Sequence, residues 1–348
     1  MPRLTPPWRT FCLLVLPLWL LACSQPPLTR MESFVFGTRV EIVALGASEA
    51  KTQEILANVL RDFDRLHRTY HAWHGSDLMM LNAAFAKGEG VKVEDEMLSL
   101  LRHAQTYAAK GDYLFDPGIG QLIKLWGFHS DSYAPHLPDA DTLAQLRRAH
   151  PSVADVEIKG HEVRSRNPAV ALDFGGLAKG YALDRARKLL LEAGIKDALI
   201  NIGGNVMALG SKAGQPWTVG IQHPRQSGAM ATLALYDGEA IGTSGDYQRF
   251  FELNGTRYCH LIDPHSGAPA RHTQAVTVLI TAQPEAGLLS DVASKPVFLA
   301  AEHWREMASR MGVSHVLRVA ADGKIAVTEP LRARLRWGDN IQPDQVVP

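Results

Sequence analysis

The sequence predicts an α+β fold, a single domain of mixed and antiparallel sheets covered by helices, from about residue 31 to residue 348. Three observations lead there. A chain of 348 residues that is 46% hydrophobic and 21% charged has material for one large core or two modest ones. Amphipathic helical stretches and short strand-like runs both occur, with most of the strands in the second half. No internal repeat, low-complexity tract or clear interdomain linker divides the chain.

The first 22 residues read as a leader. Met1 to Thr10 carries Arg3 and Arg9, Phe11 to Leu21 is apolar, and Leu20-Leu-Ala-Cys23 closes the segment with small residues before a cysteine. The apolar run is too short to span a bilayer. The segment resembles a bacterial lipoprotein signal, which implies cleavage before Cys23 and a lipid on that thiol. Residues 23–30 then form a lipidated tether, and the protein sits in the cell envelope on the periplasmic face. The alternative is an ordinary cleaved signal with an incidental cysteine. Cys12 leaves with the leader and Cys23 takes the lipid, so Cys259 has no partner for an intramolecular disulfide. Its apolar and aromatic neighbours Tyr258, Leu261 and Ile262 favour a small core residue over a nucleophile.

Phe34 to Leu45 alternates like a half-buried strand, with Gly37 as a bulge. Residues 51–70 form an amphipathic helix, because Ile55, Val59, Phe63 and Leu66 recur at helical spacing. Glu94 to Lys110 is a second helix, stopped by Gly111. Gly111 to Gly120 is rich in turn residues yet carries aromatics that a solvated loop rarely spends, so something packs there. Residues 129–141 read as loop, Thr142 to Ala149 as a short helix and Val153 to Val163 as a weak hairpin. Strands follow at 198–202, 217–222, 231–235, 275–280 and 315–319, with a helix between Pro296 and Met311.

The stretch Ala171 to Asp184 starts like a strand, breaks on Gly175 and Gly176 and leaves as a helix. The glycines lack the Cβ atoms that hold a ligand away, and the amides just beyond them have no partner inside the new helix. With Lys179 one turn in, the stretch offers a seat for phosphate or pyrophosphate. The glycine pair alone also fits a tight turn that serves packing only. Several polar clusters downstream, in regions that otherwise read as buried, favour the seat. His67, His71 and His74 have the spacing of a metal face, but Trp73-His-Gly-Ser76 reads as a helix exit, and no cysteine or carboxylate supports zinc there. The formal charge is zero, and removal of the two leader arginines leaves 34 basic against 36 acidic residues. No basic arm or run is present to neutralise several phosphates of a nucleic acid, which excludes that partner.

Four motifs stand in order along the second half: Asp173-Phe-Gly-Gly-Leu-Ala-Lys-Gly-Tyr181, Asn201-Ile-Gly-Gly-Asn205, Gly242-Thr-Ser-Gly-Asp-Tyr247 and His260-Leu-Ile-Asp-Pro-His-Ser-Gly267. Phe36-Gly-Thr38, Thr69-Tyr70, Leu114-Phe-Asp-Pro117 and Leu125-Trp-Gly-Phe128 precede them. With these motifs in register over most of the mature chain, the sequence resembles the ApbE family of FAD:protein FMN transferases. The resemblance implies a reaction in which the pyrophosphate of FAD is broken, FMN is joined through its phosphate to a Thr or Ser hydroxyl of a target protein, and AMP is released. The implied target is a membrane or exported redox protein with a short Thr- or Ser-bearing motif. Such chemistry needs a slot for the flavin, charge neutralisation at the pyrophosphate and a base for the incoming hydroxyl.

By the same resemblance, Phe36, Tyr70, Leu114, Phe115 and Asp116 line the flavin or adenine pocket, and Asp173, Gly175, Lys179, Tyr181, Thr243 and Asp263 contact FAD. The family holds Mg²⁺ between a backbone carbonyl, which maps to Ala178, and a late aspartate, which maps to Asp291 and is followed four residues on by threonine. Here Lys295 occupies the threonine position. An ammonium is no metal ligand, so either Ser294 supplies an oxygen or the Lys295 charge takes over part of the metal's work, which implies weakened Mg²⁺ dependence. Pro296 disfavours a helical Lys295. His260 maps to the base, a role that suits an imidazole, with His265 as a nearby competitor. Two further readings share the site: a periplasmic pyrophosphatase splitting FAD to FMN and AMP, and a non-catalytic lipid-anchored FAD-binding protein.

Overall fold

A nine-stranded sheet separates two apolar cores in the computed structural model, which describes residues 27–46, 48–130 and 134–348. The leader, Cys23 and the start of the tether lie outside the described residues. In spatial order the strands are Leu28–Val35, Thr38–Leu45, Asp197–Ile202, Asn205–Leu209, Ala240–Gly245, Thr273–Ile280, His315–Ala320, Ile325–Thr328 and Gln345–Val347. Every neighbouring pair is antiparallel except the last, which is parallel. The first described strand begins at Leu28, where Leu28 to Arg30 pair with Val43 to Leu45.

Period-2 alternation sends successive side chains to opposite faces, and both faces are covered. On one side Val40, Ile42, Ile200, Met207, Ala240, Val276 and Val278 meet helices. On the other, Val206, Ala208, Ile241, Ala275, Leu279 and Leu317 meet a second sheet of three strands, Leu335–Trp337, Ala229–Leu235 and Trp217–Gln222. Burial of both faces explains why Thr273–Ile280 is buried at every position. A third small sheet holds the predicted hairpin, Val156–Lys159 and Glu162–Ser165, with Val91–Lys92 added at its edge.

The first predicted strand is instead a hairpin. Phe36 and Gly37 both have positive φ, 57° and 68°, and form a two-residue turn between Val35 and Thr38, so Gly37 is a turn residue and not a bulge. The helix Asp77–Lys87, missed in the sequence, is started by the Ser76 hydroxyl, which accepts from the Met79 amide, and is ended by Gly88 at φ 73°. The segment from Pro296 to Met311 is not one helix. Ala286–Leu299 forms a buried helix that contains Pro296, and Trp304–Met311 follows after a short break. Lys295 is therefore helical, against the local preference of a residue before proline. The helix is buried along nearly its whole length against the sheet, and this packing overrides the local bias, with Pro296 resting on the bare Cα of Gly111.

Two helices fix the central motif. Ala178–Glu192 and Ala286–Leu299 cross at a glycine on each: a Cβ on Gly180 would lie 2.4 Å from the Gly287 carbonyl oxygen, and one on Gly287 would lie 2.7 Å from that of Gly180. Each helix also receives a carboxylate from the other at its N-terminus. Asp184 accepts from the amides of Gly287 and Leu288 at 2.9 and 2.8 Å, and Asp291 accepts from the amide of Gly180 at 2.9 Å. Gly180→Ala is expected to push the helices apart and lower stability by about 1–3 kcal/mol, read as a lower urea midpoint; an unchanged midpoint would contradict the close crossing.

Candidate active site

The crossing of the two helices forms one wall of a cavity of about 600 Å³. Helix Glu49–Tyr70 and the loop after it contribute Leu66, Tyr70 and Trp73, the turn-rich segment Leu114, Phe115 and Asp116, and the hairpin turn Phe36. Strand Ala240–Gly245 contributes Thr243 and Ser244, and the loop after it Gln248 and Arg249; His260 follows the hairpin formed by Phe250–Leu253 and Thr256–Cys259. The aromatics expected in the turn-rich segment therefore face a cavity. Phe36 holds its place by ring contacts with Phe63 and His67, at centroid distances of 6.0 and 5.8 Å.

The cavity brings most of the predicted residues together. Phe36, Tyr70, Leu114, Phe115, Asp116, Asp173, Gly175, Ala178, Lys179, Thr243, His260, Asp291 and Lys295 all line it. Tyr181 does not. It lies two residues beyond Lys179 on the same helix, a spacing that turns it to a different face, and its hydroxyl donates to Glu96 at 3.0 Å. Glu96 also accepts from Tyr70 at 2.9 Å and from Arg65, so the Tyr70 hydroxyl is engaged behind the wall while its ring faces inward. Asp263 is also outside the cavity. Its carboxylate accepts from the His265 amide at 2.9 Å and its carbonyl from Gly267, which fixes the loop next to His260.

The amides beyond Gly175 and Gly176 are less bare than the sequence suggests. The Gly175 amide donates to Asp173 at 2.7 Å, those of Leu177 and Ala178 to the Phe174 carbonyl, and that of Gly180 to Asp291. Positive charge at this wall comes instead from side chains. Lys179 Nζ lies 3.6 Å from Asp291 Oδ1 and donates to the Gly175 carbonyl at 3.1 Å. Lys295 Nζ donates to Asp291 Oδ1 and to the Asp291 carbonyl, both at 2.6 Å. Burial works to raise the Asp291 carboxyl, but the charges of Lys179 and Lys295 overcome it and hold the group below its ordinary value. Burial pushes Lys295 down to about 8, against the pull of Asp291.

The carboxylate and the hydroxyl expected to hold magnesium are both committed to other partners. Both carboxylate oxygens of Asp291 are engaged, one by Lys295 and one by the Gly180 amide. Ser294 is buried away from the cavity: its hydroxyl donates to the Asp291 carbonyl at 2.9 Å and pairs with Ser244 Oγ at 2.8 Å. Among the described residues no group of three or more His, Cys, Asp or Glu side chains is placed to hold a metal. Two ammonium groups beside one carboxylate oppose the approach of a dication. The residues present do not fit the ion.

His260 closes the cavity near these cations. Its Nδ1 lies 3.2 Å from the Arg249 carbonyl, an acceptor only, so Nδ1 carries the proton and Nε2 keeps its lone pair. Burial, the Arg249 charge and the two lysines push its pKa down to about 3. His265 is absent from the lining, and Cys259 is a buried thiol pushed up to about 12 by desolvation. Asp116 accepts from the Gly118 and Val153 amides, both at 2.8 Å, so it ties the turn-rich segment together at the cavity floor.

Several lining residues were not assigned to the site from the sequence. Arg249, just past the Gly242–Tyr247 motif, donates to the Phe128 carbonyl at 2.9 Å and adds a third cation. His67, His71 and His74 form a ladder of rings along the rim, with neighbouring centroids 4.8 and 4.6 Å apart. Gly203 and Gly204, both at positive φ, make the turn beside Phe36-Gly37, and a Cβ on Gly203 would meet Thr38 at 2.5 Å. A Gly-Gly pair between two apolar runs is a hairpin signal, and it was available in the sequence.

The sequence profile of the ApbE family matches residues 36–317. The chain is 40% identical over 303 residues to an FAD:protein FMN transferase of Rhodobacter capsulatus, a match covering 87% of this chain and 57% of that protein, so it spans little more than half that relative's length. It is 30% identical over 258 residues to an FAD:protein FMN transferase of Klebsiella pneumoniae (strain 342), covering 72% of this chain and 73% of the relative. Its fold superposes on a crystal structure of the ApbE protein from Thermotoga maritima with a TM-score of 0.81 at 31% identity, over 89% of this chain and 100% of that one.

The setting of His260 fixes its titration. Unfolded, the ring takes up its proton near 6.5; folded, only near 3, so acid between those values weakens the fold while the folded ring stays neutral. In the ligand-free protein the NMR shifts of His260 are expected to stay flat through the ordinary histidine range; a midpoint at about 6.5 would refute the desolvated, cation-flanked setting.

Proposed function

The chain belongs to the ApbE family, and on that premise we propose that it transfers FMN from FAD to a Thr or Ser hydroxyl of a target protein and releases AMP. One observation carries the reading: a single cavity holds a cationic wall of Lys179 and Lys295 around Asp291 together with a neutral imidazole whose Nε2 is a free base. The apolar and aromatic side, with Phe36, Tyr70, Leu114 and Phe115, accepts the flavin, and the lysines face its diphosphate.

In the step that follows, the acceptor hydroxyl oxygen bonds to the FMN phosphorus. The bond from that phosphorus to the bridging oxygen breaks, AMP leaves with that oxygen, and the hydroxyl proton passes to His260 Nε2. A base with a pKa near 3 is weak in the empty site. Bound FAD brings the negative charge of its diphosphate beside Lys179, Lys295 and Arg249, offsets the field that depresses the ring, and raises its basicity when it is needed. The lysines counter the charge that develops on the departing phosphate.

The acceptor in this proposal is a redox protein carrying a short Thr or Ser motif. Magnesium has no part in these steps, because the residues around Asp291 do not form its seat. The leader supports attachment to the envelope through a lipid on Cys23, on the periplasmic face.

His260→Ala is expected to keep FAD binding and to lower transfer by about 10²–10⁴-fold, read as the mass gain of FMN on an acceptor. AMP made at full rate with no acceptor present would replace transfer by hydrolysis. Cys23→Ser is expected to move the protein from the membrane fraction to the soluble one; unchanged membrane association would end the anchor proposal.

A further inference from the structure

We propose that the ammonium of Lys295 is the resident cation of the diphosphate site, and that this chain performs its transfer without a divalent metal. The proposal rests on the function just given. It starts from position. On the buried helix Lys295 follows Asp291 by four residues, the spacing that brings two side chains together on one helical face. Its Nζ takes two oxygens of Asp291 at once, Oδ1 and the carbonyl, each at 2.6 Å.

The route of the side chain is built as well. A Cβ on Gly176 would lie 2.9 Å from the Phe115 ring and 3.1 and 3.2 Å from Lys295 Cε and Cδ. The lysine stem therefore runs through a slot that a bare glycine leaves open. The stem is largely shielded, with the side chain 14% exposed, while its tip stays at the cavity wall.

The charge balance completes the argument. Asp291 contributes one negative charge, Lys179 and Lys295 one positive charge each, so the wall is already positive before a ligand arrives. A dication would have to displace the Lys295 ammonium from Asp291, and the neighbouring Ser294 hydroxyl, committed to Asp291 and Ser244, offers it no compensating ligand. A diphosphate gains from the wall as it stands, since two ammonium groups meet its charge without ion uptake. As the hydroxyl oxygen bonds to the FMN phosphorus and AMP departs, Lys295 neutralises the phosphate oxygens, and the proton goes to His260.

Two measurements on the mature protein test this. The first follows Mn²⁺ by electron paramagnetic resonance with and without FAD, and needs no activity. Wild type is expected to leave Mn²⁺ free, and Lys295→Thr to bind it. Mn²⁺ bound stoichiometrically by wild type overturns the proposal, whatever the enzyme does. The second measures AMP release and FMN transfer to an acceptor peptide in excess chelator and then in excess Mg²⁺. Wild type is expected to give equal rates. Lys295→Met, which keeps the stem without the charge, is expected to lose about a hundredfold with its fold intact by circular dichroism, and Lys295→Thr to regain activity only with Mg²⁺. Wild-type transfer that stops in chelator and returns with Mg²⁺ overturns the proposal and leaves the transferase reading standing. Absence of transfer in every condition removes that reading, while the Mn²⁺ result still decides the cation.

Discussion

The site depends on one backbone contact, the crossing of the helices Ala178–Glu192 and Ala286–Leu299 at Gly180 and Gly287. No side chain fits between them there. The closeness lets Asp184 reach the first amides of one helix and Asp291 an early amide of the other. Each carboxylate thus satisfies donors that its own helix cannot, and each lies where the helix dipole favours negative charge. Asp291 is anchored by this exchange, and the two lysines gather around it.

The same geometry divides the electrostatic work. Lys179 and Lys295 sit against Asp291 on one wall, whereas His260 takes its orientation from the Arg249 carbonyl. The cations of this wall also suppress the basicity of the imidazole, so the empty site holds a poor base, and under the proposed function a bound diphosphate would make it a better one. Under the proposed function, substrate charge would be part of the catalytic apparatus, since it would restore the proton affinity that the lysines remove.

Much of this was legible in the sequence, for identifiable reasons. The long helices declared themselves through apolar spacing, and the central motif through a glycine pair ahead of a helix. Hairpin turns were less visible. Phe36 adopts a left-handed conformation that aromatic residues seldom take, so Phe36-Gly37 looked like a bulge in one strand. Pro296 misled for a related reason: local preference argued against a helix that burial against the sheet imposes. Among site residues, Lys179 and His260 stood in recognisable motifs and Asp291 came from the resemblance alone, but Tyr181 and Asp263 stood in those motifs too and turn elsewhere, one to Glu96 and one to its own loop. Arg249 lay just past a motif with nothing in its spacing to mark it. Motif membership supplied candidates; helix phase and turn geometry decided which of them reach the cavity.

The exchange of carboxylates between the two helices has a dynamic consequence. Fraying the first turn of either helix would take a hydrogen-bond donor from a carboxylate of the other, so neither end can loosen without a cost felt in both helices. The pair is expected to act as one cooperative unit in amide exchange, because the bonds that join it link positions more than a hundred residues apart in the chain. Under the proposed function, ligand passage would fall to the rim, where the histidine ladder and the two hairpin turns lie, and the wall of Lys179, Lys295 and Asp291 would be the fixed part of the site.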